Sequence, residues 1–129
     1  MELEPEEEPI LGSQTVMLCS PTELKRGGTY ISCPTVLDLL HATRHRLHQL
    51  NLPRPAPFED AVEERMLNCD EHRMLRWTTR QGRLVEVRGV QAAWWVNPTE
   101  AQARWLAVAE RVGLGKGTSM GKGVLRRAI

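Results

Sequence analysis

The chain has few aromatic residues, no long apolar run and almost no net charge. Aromatic side chains make up 5% of the 129 residues, with one Phe and one Tyr. So few rings exclude the aromatic display on which ordinary RNA-recognition modules stack single-stranded bases. No apolar stretch approaches the length that a helix needs to cross a bilayer, so we expect no membrane partner.

Cysteine is also scarce, and acidic residues are unevenly placed. The three cysteines are odd in number and have no motif spacing, which argues against a disulfide framework and predicts a reducing cytoplasm. The formal net charge is +1, yet the first nine residues hold five glutamates and no base. We therefore expect residues 1–13 to form a disordered acidic leader and residues 14–129 a single domain with one core.

What the chain does contain is a run of glycines in residues 113–129 (GLGKGTSMGKGVLRRAI). Glycine lets a backbone approach a ligand closely and present bare N–H groups to it. Lysines, hydroxyls and arginines accompany the glycines, so we predict an anionic ligand, most naturally a phosphate chain. The predicted binding residues are Gly113, Gly115, Lys116, Gly117, Thr118, Ser119, Gly121, Lys122, Gly123 and Arg126.

Neither common nucleotide-binding loop explains this run. A Walker A loop needs four residues between its first glycine and Gly-Lys, whereas three separate Gly117 from Gly121. A dinucleotide-binding loop would need glycine at one of two positions that are Thr118 and Met120. A flexible tail is the alternative to a phosphate-binding loop.

Hydrophobic patterning predicts an α+β fold. We predict a buried strand over 14–19, a loop over 22–32, a helix that Pro34 or Thr35 opens and 51–57 ends, and a second, more polar helix over 58–68. Strands follow over 74–80 and 83–96, then a capped helix from 101 to 112 and a last strand over 124–129.

This order, β-α-(α)-β-β-α-β, is typical of a ferredoxin-like (RRM-like) fold. In that fold two helices cover one face of a four-stranded antiparallel sheet. Because unrelated proteins share the fold, it carries little functional weight by itself.

Several stretches of the chain nevertheless resemble one family of RNA-processing enzymes. They are residues 16–28, the helix at 37–50, the strand pair at 77–83 and 87–90, and the glycine run, in the family's order. The chain resembles the C-terminal domain of the CRISPR repeat-processing endoribonucleases of the RAMP superfamily, from about residue 14 to residue 129. The glycine run is the most specific part of the resemblance.

The resemblance implies binding of CRISPR repeat RNA, usually a stem-loop, and metal-independent cleavage of the precursor transcript. In that reaction a ribose 2′-hydroxyl attacks the adjacent phosphate and leaves a 2′,3′-cyclic phosphate. The resemblance also implies that the chain stays on the crRNA with other subunits of a Cascade-type antiviral complex. We expect no cofactor.

Typical members of the family have two ferredoxin-like domains in tandem, with the usual catalytic histidine in the first. The chain resembles the second domain alone. It is then a minimal single-domain enzyme, an enzyme whose other half lies on another chain, or a non-catalytic subunit that binds the 3′ hairpin of the crRNA. An interaction module unrelated to RNA is a further alternative.

Basic residues outside the glycine run cluster in two places. Four arginines lie on or near the predicted hairpin, where guanidinium groups could bind an RNA backbone or stack on bases: Arg76, Arg80, Arg83 and Arg88. Lys25 and Arg26 lie at a glycine-flanked loop tip, which suits a phosphate contact. The alternatives are a solvated strand face and a plain surface turn.

Three histidines share one face of the first predicted helix, at positions 41, 45 and 48. A zinc site there would need further ligands from elsewhere in the chain, so we expect no metal. If the chain cleaves RNA alone, His41 and His45 are the first candidates for general acid and base, because imidazole titrates near neutrality. Tyr30 could assist them.

Overall fold

The computed structural model describes residues 8–78, 82–114 and 123–129, with the backbone alone at 74–78, 83, 85 and 87. Within these residues the chain forms β1 (Gln14–Thr22), β2 (Lys25–Arg26), β3 (Thr29–Tyr30), α1 (Val36–Gln49), β4 (Glu63–Thr78), β5 (Arg83–Asn97), α2 (Glu100–Val112) and β6 (Leu125–Ala128). Neither helix is long and apolar enough to cross a membrane.

The main sheet has four strands in the order β4-β5-β1-β6, and each neighbouring pair is antiparallel. This is the predicted ferredoxin-like arrangement. Side chains alternate between the faces of a strand, and on one face Val16, Leu18 and Trp94 are buried together with Leu39 and Leu106 from the two helices. Trp95, next to Trp94, lies on the opposite face, where the guanidinium of Arg65 is 5.6 Å from its ring centroid.

Both helices begin at a capping box, which explains where they start. Thr35 accepts a hydrogen bond from the Asp38 amide, and the Asp38 carboxylate accepts one from the Thr35 amide. Thr99 and Gln102 make the same reciprocal pair at α2. Each box satisfies two amides that an α-helix leaves without an intrahelical partner.

The predicted helix over 58–68 is wrong. Residues 51–62 form no helix, and β4 begins at Glu63. Tertiary contacts decide this, because the Gln102 side-chain amide donates to the carbonyls of Glu59 and Ala61, each at 2.8 Å. The segment is thereby held extended against α2, and local helix propensity is overridden.

Two strands extend far beyond the body of the sheet. β5 pairs with β1 only up to Val90, whereas β4 and β5 stay paired from His72 opposite Gly89 to Thr78 opposite Arg83. We call residues 72–78 and 83–89 the arm. At about 3.4 Å per residue its length is roughly 20 Å. The sequence predicted this hairpin, but it did not predict that β4 would start so early.

The two ends of the glycine-rich segment meet. The amide of Leu114 donates to the carbonyl of Gly123 at 2.9 Å, and the Val124 carbonyl accepts from the Cys19 amide at 2.8 Å. We call Leu114 and Gly123 the loop neck. The predicted binding residues between them, 115–122, lie outside the described residues.

Residues 8–13 of the predicted leader lie beside the start of β1 and the end of β6. The Gln14 side-chain amide donates to the Ile10 carbonyl at 2.6 Å, and Arg127 donates to the Glu8 carbonyl at 3.3 Å. The boundary between leader and domain at residue 13 stays a prediction.

Gly123 of the loop neck is required for two reasons: its φ is positive, and a side chain there would collide with Leu114. Two alanine variants separate the cost of the backbone conformation from the cost of the collision. Gly123 has φ of +75°, and a Cβ there would lie 1.7 Å from the Leu114 carbonyl oxygen. We expect Gly123→Ala to lower the free energy of unfolding by about 1–3 kcal/mol through the contact, in addition to ~1 kcal/mol for the left-handed backbone. Urea denaturation measures this loss.

Gly12→Ala is the matched control. Gly12 has φ of +84°, but nothing lies within 4 Å of the position of its added Cβ. That variant therefore reports the backbone cost alone. Equal losses in the two variants would contradict a steric role for Gly123.

Candidate nucleic-acid interface

A small hairpin follows β1 and forms one wall of a groove. Arg26 of β2 pairs with Thr29 of β3, and the two residues between them, Gly27 and Gly28, have φ of +57° and +82°. A two-residue hairpin turn with both central φ values positive is the type I′ turn, which favours glycine. The Gly-Gly pair thus explains why the chain reverses here rather than forming an open loop.

The other wall of the groove is α1, and the groove has a volume of about 1040 Å³. Leu24, Ile31 and Ala42 contribute apolar surface between the walls. The charged and imidazole side chains that line it are Lys25, Arg26, His41, His45, Arg46, Glu23 and Asp38. The groove therefore brings together four predicted site residues, Lys25, Arg26, His41 and His45, from two elements of the fold.

Asp38 connects the two walls. Its buried carboxylate accepts hydrogen bonds from Nε and Nη2 of Arg26, and the Nε bond is 3.0 Å long. Burial alone would raise the pKa of Asp38, but the hydrogen bonds from Arg26 and Thr35 outweigh burial and leave that pKa below its usual range. The guanidinium remains largely exposed, so Arg26 can present its remaining N–H groups to a ligand.

His41 has a defined tautomer. Its Nδ1 lies 2.8 Å from Nη2 of Arg44, and arginine can only donate, so Nδ1 is the acceptor and Nε2 carries the proton. The imidazole also contacts the Phe58 ring, with centroids 5.5 Å apart, and the Arg44 guanidinium lies 5.6 Å from that ring centroid. His45 lies one helical turn further along and is exposed.

Tyr30 does not join the two histidines. It lines a smaller cavity with Thr29, Ser32 and Cys33, and the Arg88 guanidinium lies 4.5 Å from its ring centroid. Burial raises the pKa of Tyr30, and the charge of Glu71 raises it further. The buried phenol oxygen has no hydrogen-bond partner among the described residues. A phenol with a raised pKa stays protonated at neutral pH, which disfavours a role as general base.

The arm carries several arginines, and it leaves the main sheet at the end of β1 that the small hairpin follows. Arg76 is opposite Val85, and Arg83 is opposite Thr78, whereas Arg80 lies outside the described residues. Nearer the body of the sheet, Arg73 is directly opposite Arg88. Like charges opposite each other are unfavourable, and ion pairs of Arg73 with Glu71 at 3.2 Å and with Glu86 at 3.8 Å offset the repulsion.

The remaining predicted residues fall in two places. Gly113 is the C-cap of α2 with φ of +77°, and Gly123 closes the loop neck. Arg126 is exposed and opposite Met17, on the sheet face that the helices leave open. It is therefore not part of the groove.

The groove, the arm and the loop neck are all attached at one end of β1. Ser20 accepts a hydrogen bond from the Val124 amide at 3.0 Å, and Gln91 donates to the Cys19 carbonyl at 2.8 Å. A Cβ on Gly89 would lie 2.8 Å from the Pro21 Cβ, so β5 passes very close to the end of β1 there. The basic segments are far apart in the sequence, so only the tertiary fold shows that they adjoin.

Asp38 and Arg44 support the groove by setting the positions of Arg26 and His41. The sequence patterns indicated Arg44 as part of a basic surface with the helix histidines, but Asp38 was not predicted. The signal for Asp38 was available, since Thr-x-x-Asp before an apolar run is a form of capping box. Among the described residues, no three His, Cys, Asp or Glu side chains are grouped as they would be to hold a metal ion.

A family model describes most of the chain. The model of the CRISPR-associated endoribonuclease Cas6 family matches residues 16–125. The chain belongs to the Cas6 family. No curated protein matches it. The match begins within β1 and ends at the first residue of β6, so it includes most of the main sheet, both helices, the groove and the glycines of residues 113–123.

Solved structures of Cas6 proteins have the same fold. A Cas6 product complex has 21% sequence identity and a TM-score of 0.59, covering 96% of this chain and 54% of that chain. Cas6 from Thermus thermophilus has 16% identity and a TM-score of 0.65, with 95% and 55% covered. The product of a Cas6-related gene from Pyrococcus furiosus has 13% identity and a TM-score of 0.54, with 94% and 50% covered. The chain spans about half the length of these structures.

Because Asp38 and Arg26 join the groove walls, we expect the free energy of unfolding to depend on pH. The pKa of Asp38 is lowered in the folded state, so its carboxylate stabilises the fold fully above the unfolded pKa of about 4. This contribution is lost as pH falls through the folded pKa. We expect Asp38→Asn to lower the free energy of unfolding at pH 7 and to lower it less below about pH 4. Urea denaturation across this range checks it.

Asp60→Asn, at an exposed position, controls for the loss of one carboxylate from the chain. If Asp38→Asn lowered the free energy of unfolding equally at pH 7 and below about pH 4, the carboxylate would not act through its charge.

Proposed function

We propose that the chain binds CRISPR repeat RNA and takes part in processing the precursor transcript. The observation that carries this proposal is the groove, in which Lys25, Arg26, His41 and His45 meet in a member of the Cas6 family. Phosphate contacts supply much of the affinity of proteins for nucleic acids. Cations on both walls, with apolar surface between them, suit a ribonucleotide strand.

The positions of the arm and the loop neck support a structured RNA as the ligand. Both lie at the same end of β1 as the groove, so one RNA can contact separate basic surfaces at once. Double-stranded RNA is recognised mainly by shape and by contacts to phosphates and 2′-hydroxyls. The scarcity of aromatic rings agrees with this mode of binding.

The proposed reaction needs two proton-transfer groups and no metal. A base removes the proton of the 2′-hydroxyl, the oxygen attacks the adjacent phosphorus, and the bond to the 5′ oxygen breaks as an acid protonates that oxygen. His41 and His45 line the same wall of the groove and are the candidates for these roles. To act as the acid, His41 must be an imidazolium, which requires Nδ1 to give up its contact with Arg44 and to take up a proton.

The second candidate is a non-catalytic subunit that binds the 3′ hairpin of the crRNA within a Cascade-type complex in the cytoplasm. Tyr30 lies in a separate cavity, and Nδ1 of His41 is already bound to Arg44. Both observations favour binding over catalysis. In this case the catalytic domain is absent or lies on another chain.

Labelled repeat RNA from the protein's own source, incubated with the purified chain in EDTA, tests both candidates. We expect salt-sensitive binding that weakens in Lys25→Glu, and the slope of log affinity against log salt should fall by about one for every phosphate that the variant no longer neutralises. Lys116→Ala/Lys122→Ala tests the glycine loop in the same assay. Cleavage that leaves a cyclic phosphate identifies the enzyme, whereas tight binding without cleavage identifies the subunit.

Arg104→Glu is the control for Lys25→Glu. Arg104 is exposed on α2, does not line the groove and makes a single surface ion pair with Glu100. The two substitutions change the net charge equally. Equal loss of affinity in both would contradict the groove as the binding site, and binding that does not depend on salt would contradict RNA as the ligand.

A further inference from the structure

Three sulfur atoms meet where the segment before α1 crosses β4. The Cys33 thiol donates to the Met66 sulfur at 3.4 Å, and the Cys69 thiol lies 3.5 Å from the Ser32 carbonyl oxygen. Burial, and next the neighbouring Cys33 side chain, raise the pKa of the Cys69 thiol to about 11. We call Cys33, Met66 and Cys69 the sulfur cluster. The proposed function uses none of them.

A β-bulge creates the cluster. Met66 and Cys69 are three residues apart, so in a regular strand they would lie on opposite faces. The register shifts between Met66 and Asn68, so that Met66 is opposite Trp94 and Cys69 is opposite Ala92. Those two β5 residues are on the same, buried face. The bulge therefore turns both sulfur side chains towards the helices, as bulges elsewhere redirect side chains near functional sites.

The sulfur cluster is shielded from solvent on one side and open to solvent on the other. Met66 and Cys69 are half-buried against the hydrophobic core, whereas Cys33 is exposed. An ion can thus reach the cluster from solvent at Cys33 and be held against apolar side chains behind it.

We propose that Cys33, Met66 and Cys69 bind one soft monovalent metal ion, of which Cu(I) is the type. Thiolate and thioether sulfurs select such ions. The ion would replace the two thiol protons, which leave to solvent, while the Met66 thioether binds as a neutral third ligand. Metal–sulfur bonds of about 2.3 Å allow two sulfur atoms up to ~4 Å apart to share one ion, and the Cys33 and Met66 sulfurs are 3.4 Å apart.

The donor set argues against harder ions. Structural zinc sites take four ligands, mostly cysteine and histidine. No imidazole or carboxylate contacts the three sulfurs in the part of the chain that the structure describes. Two thiols and one thioether instead match the low coordination number that soft monovalent ions accept.

Anaerobic titration of the reduced full-length chain with Cu(I), supplied as its acetonitrile complex against a chromogenic Cu(I) chelator, tests the proposal. We expect one ion per chain, and native mass spectrometry should show the gain of one copper with the loss of two protons. Cys33→Ser and Cys69→Ser should each weaken binding by at least about a hundredfold, because even outer-shell changes cost ~10–100-fold in metal affinity. Met66→Leu should weaken it about tenfold at similar side-chain volume.

The third cysteine provides the matched control. Cys19 is exposed and lies on β1, outside the cluster, so Cys19→Ser should leave Cu(I) affinity within about twofold. Equal weakening in Cys19→Ser would overturn the proposal, and so would wild-type affinity no tighter than that of Cys33→Ser/Cys69→Ser. Loss of two hydrogens without copper would identify a disulfide pair instead. If Cys69→Ser fails to fold, the Cys33→Ser variant, at an exposed position, and the Met66→Leu variant still decide the outcome.

Discussion

The N-terminus of α1 is the point on which the candidate interface depends. The Asp38 carboxylate closes the capping box with Thr35 and also holds Arg26 of the hairpin. From the opposite side, Glu64 of β4 accepts a hydrogen bond from the Val36 amide at 2.8 Å. Two carboxylates thus occupy the amides that would otherwise attract an anion. A phosphate approaching this region must be bound by the side chains of the groove, not by the helix terminus.

The same junction links the three layers of the molecule. The hairpin is tied to α1 through Asp38, α1 to the sheet through Glu64, and the buried Trp94 indole donates to the Pro34 carbonyl at 3.2 Å. The groove walls are therefore positioned by buried or half-buried polar contacts on a packed core. Such contacts are costly to break, because breaking one leaves a buried group without a partner. The sulfur cluster adjoins this junction through Cys33.

Most of the fold could be predicted because local signals and packing agree. The Gly-Gly turn, the two capping boxes and the alternating strands each have a sequence signature that the structure preserves. The segment 58–68 failed because its signals conflict: Phe58, Val62 and Met66 recur at helical spacing among good helix formers. In the fold, Val62, Glu64 and Met66 alternate as half-buried residues at the beginning of an edge strand. Strand propensity depends on such neighbours more than helix propensity does.

The sequence by itself determined the order of the two helices and the four strands of the main sheet, the ferredoxin-like fold, the family and the identity of the basic segments. These depend on short-range periodicity and on motifs read along the chain. Tertiary structure alone decided which of those segments adjoin. Lys25 and His45 line the same groove, Arg88 lies over Tyr30, and Met66 and Cys69 share a face only because of a bulge. The physical reason is that each juxtaposition depends on strand register and on the approach of residues far apart in sequence, and a shift of one residue would turn these side chains to the opposite face.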